Sequence, residues 1–219
     1  LSIDVPSGLN TDSGIVNSLA VNADFTLTIE NLKVGMVFRQ GKNQSGVVEI
    51  AKIGFPVEAK LLLGGLRWKM FNESLAFRIL RKPKIDINKY NSGKVLIIAG
   101  SKGMTGASIL ATHAALRAGA GMTISVVPSS LNNILEKCIL EGITYALNDN
   151  LSGHLKIEHF DQIMDKVIWA DSVLIGPGLG RNKSTLELIK KLIFSINKPL
   201  ILDADGLFPF KNNYKKLNK

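Results

Sequence analysis

What this 219-residue chain lacks narrows it quickly. It has one cysteine, Cys138, so no internal disulfide can close and a disulfide-stapled secreted scaffold is excluded. Cys138 sits in an apolar helical pattern and reads as a small core residue, not a nucleophile. Three histidines, His113, His154 and His159, are scattered without cysteine partners, which argues against a metal site built on them. No Ser-His-Asp or Cys-His arrangement stands out. No apolar run approaches the length of about 18 residues that a spanning helix needs, and no leader pattern opens the chain, so a cytoplasmic protein off the membrane is expected. Arginine is sparse: 21 of the 27 basic residues are lysines, dispersed among 17 asparagines. A nucleic-acid surface would gather arginine with exposed aromatics, so the net charge of +9 reads as spread surface charge with no nucleic-acid partner. An initiator methionine is missing too. The chain opens on Leu1 in a strand-like run and closes on a lysine-rich tail, and both ends read as cut.

What is there centres on Val95 to Gly121. Val95–Ala99 is apolar throughout, as a parallel strand covered on both faces must be. Gly100, Gly103 and Gly106 turn the chain into an alanine-rich helix from about Gly106 to Ala118, on which Ala107, Leu110, Ala111, Ala114 and Ala118 share a face with Leu110 as the largest anchor. Met122–Val127 returns as a second strand, completing a βαβ unit whose ligand belongs at the strand ends. The small residues of Gly100-Ser101-Lys102-Gly103-Met104-Thr105-Gly106 let backbone amides approach a ligand, and a helix start favours an anion there. Because Ala107 follows Gly106, this is no GxxxxGK[ST] loop.

The pattern then repeats. Leu131–Leu147 reads as mostly helical, a strand is expected between His154 and His159, and Asp161–Trp169 is a covering helix. Ser172–Ile175 is a strand running into Gly176-Pro177-Gly178-Leu179-Gly180, a second glycine loop ahead of a helix over Lys183–Phe194, with Arg181 available to a phosphate. Leu200–Leu202 ends in Asp203-Ala204-Asp205-Gly206, and two carboxylates at a buried strand end suit hydrogen bonds, a cation or a polar substrate.

The first 80 residues differ. Ser2–Val5 and Ala23–Ile29 read as strands, Gly35–Gly41 and Gly46–Ile53 as further extended pieces. Asp4, at a strand end before Pro6-Ser7-Gly8, stands where a general base or a cation ligand would, or where a carboxylate caps turn amides. Arg81-Lys82-Pro83-Lys84 marks the boundary between domains 1–80 and 81–219.

Two sets of motifs agree on a family. SIDVPSG, ADFTLT and GVVEIAKIGFP resemble the end of an NAD(P)H-hydrate epimerase domain. GSKGMTGA, AALRAGAG, IGPGLG and LDADGL resemble the ADP/ATP-dependent NAD(P)H-hydrate dehydratases, and their order resembles the bifunctional NAD(P)H-hydrate repair enzymes. The resemblance implies an α/β chain: the C-terminal part of a Rossmann-like epimerase domain, then an incomplete ribokinase-like three-layer α/β/α domain. It implies Asp4 as the acid/base of epimerisation beside a bound potassium ion. It implies that Gly100, Ser101, Gly103, Gly106, Gly176, Gly178 and Gly180 line a dinucleotide pocket with Asp203 and Asp205 at its floor. It implies NADHX or NADPHX as substrate, ADP or ATP with Mg²⁺ to turn the hydroxyl into a phosphate leaving group, and a homo-oligomer. The family's N-x-x-G-[ST]-G-D motif and its threonine-proline-histidine segment do not occur here, and Tyr90 replaces a usual glycine. A chain so cut is expected to be inactive alone. A ribokinase-like small-molecule kinase and a non-catalytic dinucleotide-binding module remain the competing readings.

Overall fold

The computed structural model describes the chain except residues 57, 59–67, 69, 81–84 and 218–219, so the Arg81–Lys84 junction lies outside the described residues. The chain divides into two compact units, Leu1–Arg81 and Lys82–Lys219.

In the first unit, β1 (Ser2–Ile3), β2 (Phe25–Ile29) and β3 (Val47–Ala51) form a parallel sheet in that order. Parallel neighbours cannot be joined by a tight turn, so the chain between β2 and β3 must cross over the sheet. That requirement overturns the extended reading of Gly35–Gly41, where the chain forms α1 (Val34–Val37) and α2 (Arg39–Ser45). Met36 is buried, and a Cβ at Gly41 would lie 1.7 Å from the Gly35 carbonyl oxygen, so only glycine permits that approach. On β2 the two threonines are the fully buried residues. Thr26 Oγ1 donates to the Ser45 carbonyl at 2.7 Å, which satisfies the hydroxyl out of water. At the end of β2, the buried Glu30 carboxylate accepts from the backbone N–H groups of Ile53 and Gly54 at 2.7 and 2.9 Å, fastening the chain beyond β3. A short helix, α3 (Glu73–Ile79), is capped by Asn72, whose side chain accepts from Leu75 N at 3.0 Å.

The second unit is built on β4 (Lys94–Ile98), β5 (Met122–Pro128), β6 (Ile143–Leu147), β7 (Ser172–Ile175) and β8 (Leu200–Leu202), all parallel, in the order β6-β5-β4-β7-β8. Helices α4 (Thr105–Arg117) and α5 (Asn132–Cys138) cover one face, and α6 (Phe160–Trp169) and α7 (Lys183–Ser195) pack with the other. The main core lies on the α6/α7 side, where Leu96, Ile98, Val126, Val173 and Ile175 meet Ile163, Val167, Leu188 and Leu192. This is the three-layer α/β/α arrangement expected of residues 81–219.

Four expectations fail here. Ile143–Leu147 is the edge strand β6, not the end of a helix, because its β-branched and aromatic residues complete the ladder beside β5. The segment between His154 and His159 is no strand; Ile157–His159 is a 3-10 turn leading into α6. On α4 the inward face is Ser108 and Thr112, both fully buried, while Leu110 is 72% exposed. The Thr112 hydroxyl donates to Ser108 O and lies 2.6 Å from Ser125 Oγ on β5. Small side chains on this face, with the Thr112 hydroxyl paired to Ser125, let the helix sit close to the sheet, and a leucine there would hold it off. Cys138, expected in the core, is exposed at the last residue of α5.

Candidate functional site

Strands β4, β5 and β6 run outward in chain order, and the chain then returns beside β4 to place β7 and β8 on the other side. The direction of winding therefore reverses between β4 and β7. At such a switch point the loops leaving the two strands diverge to opposite faces, and a crevice opens at their C-terminal ends. Both glycine loops lie there. Gly176 N donates to Ile98 O at 3.1 Å and Gly100 N to Pro177 O at 2.8 Å, and the Ser101 hydroxyl donates to Gly178 O at 2.8 Å.

Two of the glycines are there for a reason of space. Gly176 has φ 135° and a Cβ on it would fall 1.7 Å from Asp203 O. A Cβ on Gly178 would fall 2.7 Å from Ala107 Cβ. Gly103 and Gly106 face open space instead. They sit where α4 begins, and no side chain caps that helix start. Ala107 N donates to Met104 O at 3.2 Å, which leaves the N–H groups of Thr105 and Gly106 at the helix start to face an anion.

The aspartates of the third loop divide the work. Asp205 accepts from Gly180 N and from Arg181 Nε, both at 3.0 Å, so it fixes the second glycine loop. Arg181 is thereby paired, and its guanidinium lies 4.3 Å from the centre of the Phe208 ring. Asp203 is exposed and its carboxylate has no partner among the described residues. The structure thus brings Gly100, Ser101, Gly176, Gly178, Gly180, Asp203 and Asp205 together, with Gly103 and Gly106 at the rim.

One residue of this neighbourhood was invisible in the sequence. Asp149 is fully buried and accepts from Ser129 Oγ, Ser130 N, Ser130 Oγ and Gly153 N. Burial pushes its carboxyl up, but the backbone N–H groups of Ser130 and Gly153 and the hydroxyls of Ser130 and Ser129 outweigh that and hold it well below the ordinary carboxylate range. Lys102 N then donates to Gly153 O at 2.7 Å, so the first glycine loop leans on the loop Asp149 organises. The only sequence signal was the turn chemistry of Asn148-Asp149-Asn150.

Asp4 belongs to the other unit. It has φ 64°, left-handed backbone for a residue with a Cβ. Its Oδ1 accepts from Ile29 N at 2.9 Å, Thr28 Oγ1 at 3.4 Å and the Lys33 ammonium. The side-chain bond from Lys33, then the Ile29 N–H, hold its carboxyl below the ordinary range. Nothing in the sequence marks Lys33 as its partner, because three irregular residues separate Lys33 from β2. Among the described residues no three histidine, cysteine or carboxylate side chains cluster as a metal site, and no helix is long and apolar enough to cross a membrane.

Against known proteins, residues 95–219 match the family model described as NAD(P)H-hydrate dehydratase, and residues 1–35 match that of the YjeF-related protein N-terminus. The bifunctional NAD(P)H-hydrate repair enzyme Nnr of Moorella thermoacetica is 32% identical over 212 residues, covering 94% of this chain and 39% of the relative. The chain thus spans well under half the length of that relative. Among solved structures, a ribokinase-like superfamily protein from Enterococcus faecalis aligns with TM-score 0.51 and 24% identity over 66% of this chain and 50% of its own. A hypothetical protein from Streptococcus mutans aligns with TM-score 0.54 and 22% identity over 64% and 48%. At such identities the likeness is one of fold.

Proposed function

The chain belongs to the NAD(P)H-hydrate dehydratase family, and from that premise we propose that Lys82–Lys219 is the first part of a domain that dehydrates the S form of hydrated NADH or NADPH. ADP or ATP would phosphorylate the ring hydroxyl, because hydroxide leaves poorly and phosphate leaves well. We read Leu1–Arg81 as the end of the domain that interconverts the R and S hydrates, and the whole as a cytoplasmic homo-oligomer.

The observation that carries the dehydratase reading is the meeting of the two glycine loops at the switch point. Gly100, Ser101 and Gly178 would lie along the dinucleotide, and the uncapped start of α4 at Thr105–Gly106 would face a phosphate. Asp205 would hold Gly180 and Arg181 in place while Asp203 stays available. Magnesium takes one or two carboxylates and fills its other positions with phosphates and water, so exposed Asp203 fits it; the ion, when bound, would neutralise nucleotide phosphates. Potassium at Asp4 would have only Oδ2 to bind. Lys33 already occupies Oδ1, and its positive charge would weaken a second cation on the same carboxylate.

Incubating the complete protein with NADHX, Mg²⁺ and ADP or ATP should restore absorbance at the reduced-nicotinamide band. Phosphorylation of another small molecule without that recovery would favour the kinase reading instead.

A further inference from the structure

We propose that Lys33 is the positioning residue of the epimerase site: it pins one oxygen of Asp4 so that the other is presented to the hydrated ring. The inference rests on reading Asp4 as the acid/base of that site. Three donors converge on Oδ1, namely Thr28 Oγ1, Ile29 N and Lys33 Nζ, and none reaches Oδ2 among the described residues. A carboxylate so held cannot rotate without breaking all three bonds, while its free oxygen keeps its lone pairs for a substrate.

The ammonium is equally constrained. An ammonium has three N–H donors, and Lys33 spends them on Asp4 Oδ1, Thr28 Oγ1 at 3.0 Å and Ile29 O at 2.9 Å. The two β2 partners orient Lys33, and Lys33 orients Asp4. The left-handed backbone of Asp4 supports a functional purpose, since an aspartate held at φ 64° persists only where its surroundings over-determine it. Of the charged groups among the described residues, Lys33 is the one that meets Asp4; Thr28 and Ile29 are neutral.

The test uses the complete protein, with epimerisation of R-NADHX followed by coupling to dehydration, and dehydration of pure S-NADHX as the control for folding. Lys33→Ala and Lys33→Gln should each lower kcat for epimerisation about 10- to 100-fold with KM nearly unchanged, as expected for loss of one charged hydrogen bond. Ethylammonium added to Lys33→Ala should restore a saturable part of the rate, which loss of a packing contact alone would not allow. Wild-type kcat in either variant, or a loss that ethylammonium does not reverse while Asp4→Asn is inactive, overturns the role of Lys33 and leaves the reading of Asp4 standing. Full epimerisation by Asp4→Asn removes the reading of Asp4 itself.

Discussion

Asp4, Asp149, Asp203 and Asp205 are the same residue type in four electrostatic situations, and the difference lies in who donates to them. Asp203 meets solvent, Asp205 serves a loop, Asp4 is anchored at one oxygen, and Asp149 is saturated in the interior. For Asp149 the pH consequence has a definite sign. The native carboxyl is held below its unfolded value of 3.8, so its contribution is fully present above that pH. As pH falls below it, the unfolded chain takes up the proton first and stability drains away. Acid titration followed by circular dichroism should show Asp149→Asn with a weaker acid transition than the parent and a stability at pH 7 lower by about 2 kcal/mol, because buried donors lose their acceptor. At Gly176 the constraint is steric. Gly176→Ala should lower stability by more than about 2 kcal/mol in urea unfolding, since its methyl would strike Asp203 O in a backbone region closed to alanine.

Helix α4 shows how an element can be foreseen while its orientation is not. Its span follows from glycines at both ends, yet eight of its thirteen residues are alanine, glycine, serine or threonine, so no apolar stripe fixes which face turns inward. The pairing of Thr112 with Ser125 decides it, and that depends on a strand thirteen residues away. Leu110→Ala should therefore change stability by less than about 0.5 kcal/mol, whereas Ile163→Ala on α6, fully buried in the main core, should cost about 2–5 kcal/mol. Urea unfolding monitored by circular dichroism separates them. Strand β6 departs from its expected helix for the opposite reason. Ile143-Thr144-Tyr145-Ala146-Leu147 carries a mixed pattern that either helix or edge strand tolerates, and the neighbour β5 settles it. The crossover at 34–45 has an extended look in the sequence because two short helices with glycines at 35 and 41 carry no helical periodicity of their own.

For the whole chain, the two units carry separable predictions. Gly176→Ala in the complete protein should abolish dehydration of S-NADHX and leave epimerisation of R-NADHX within about two-fold, because β4 and β7 both belong to Lys82–Lys219 and Asp4 to Leu1–Arg81. Chromatographic separation of the two hydrates with time measures both at once. The sequence by itself determined the βα alternation, the strands of the second sheet apart from β6, the two glycine loops and the paired aspartates after Leu202, because buried parallel strands and tight turns impose local residue choices. Only the tertiary structure decided that β4 and β7 are neighbours, that Ser108 and Thr112 face the sheet in place of Leu110, and that Lys33 holds Asp4. Those are contacts between residues far apart in the chain, and their energies depend on which partners the fold brings within hydrogen-bonding distance.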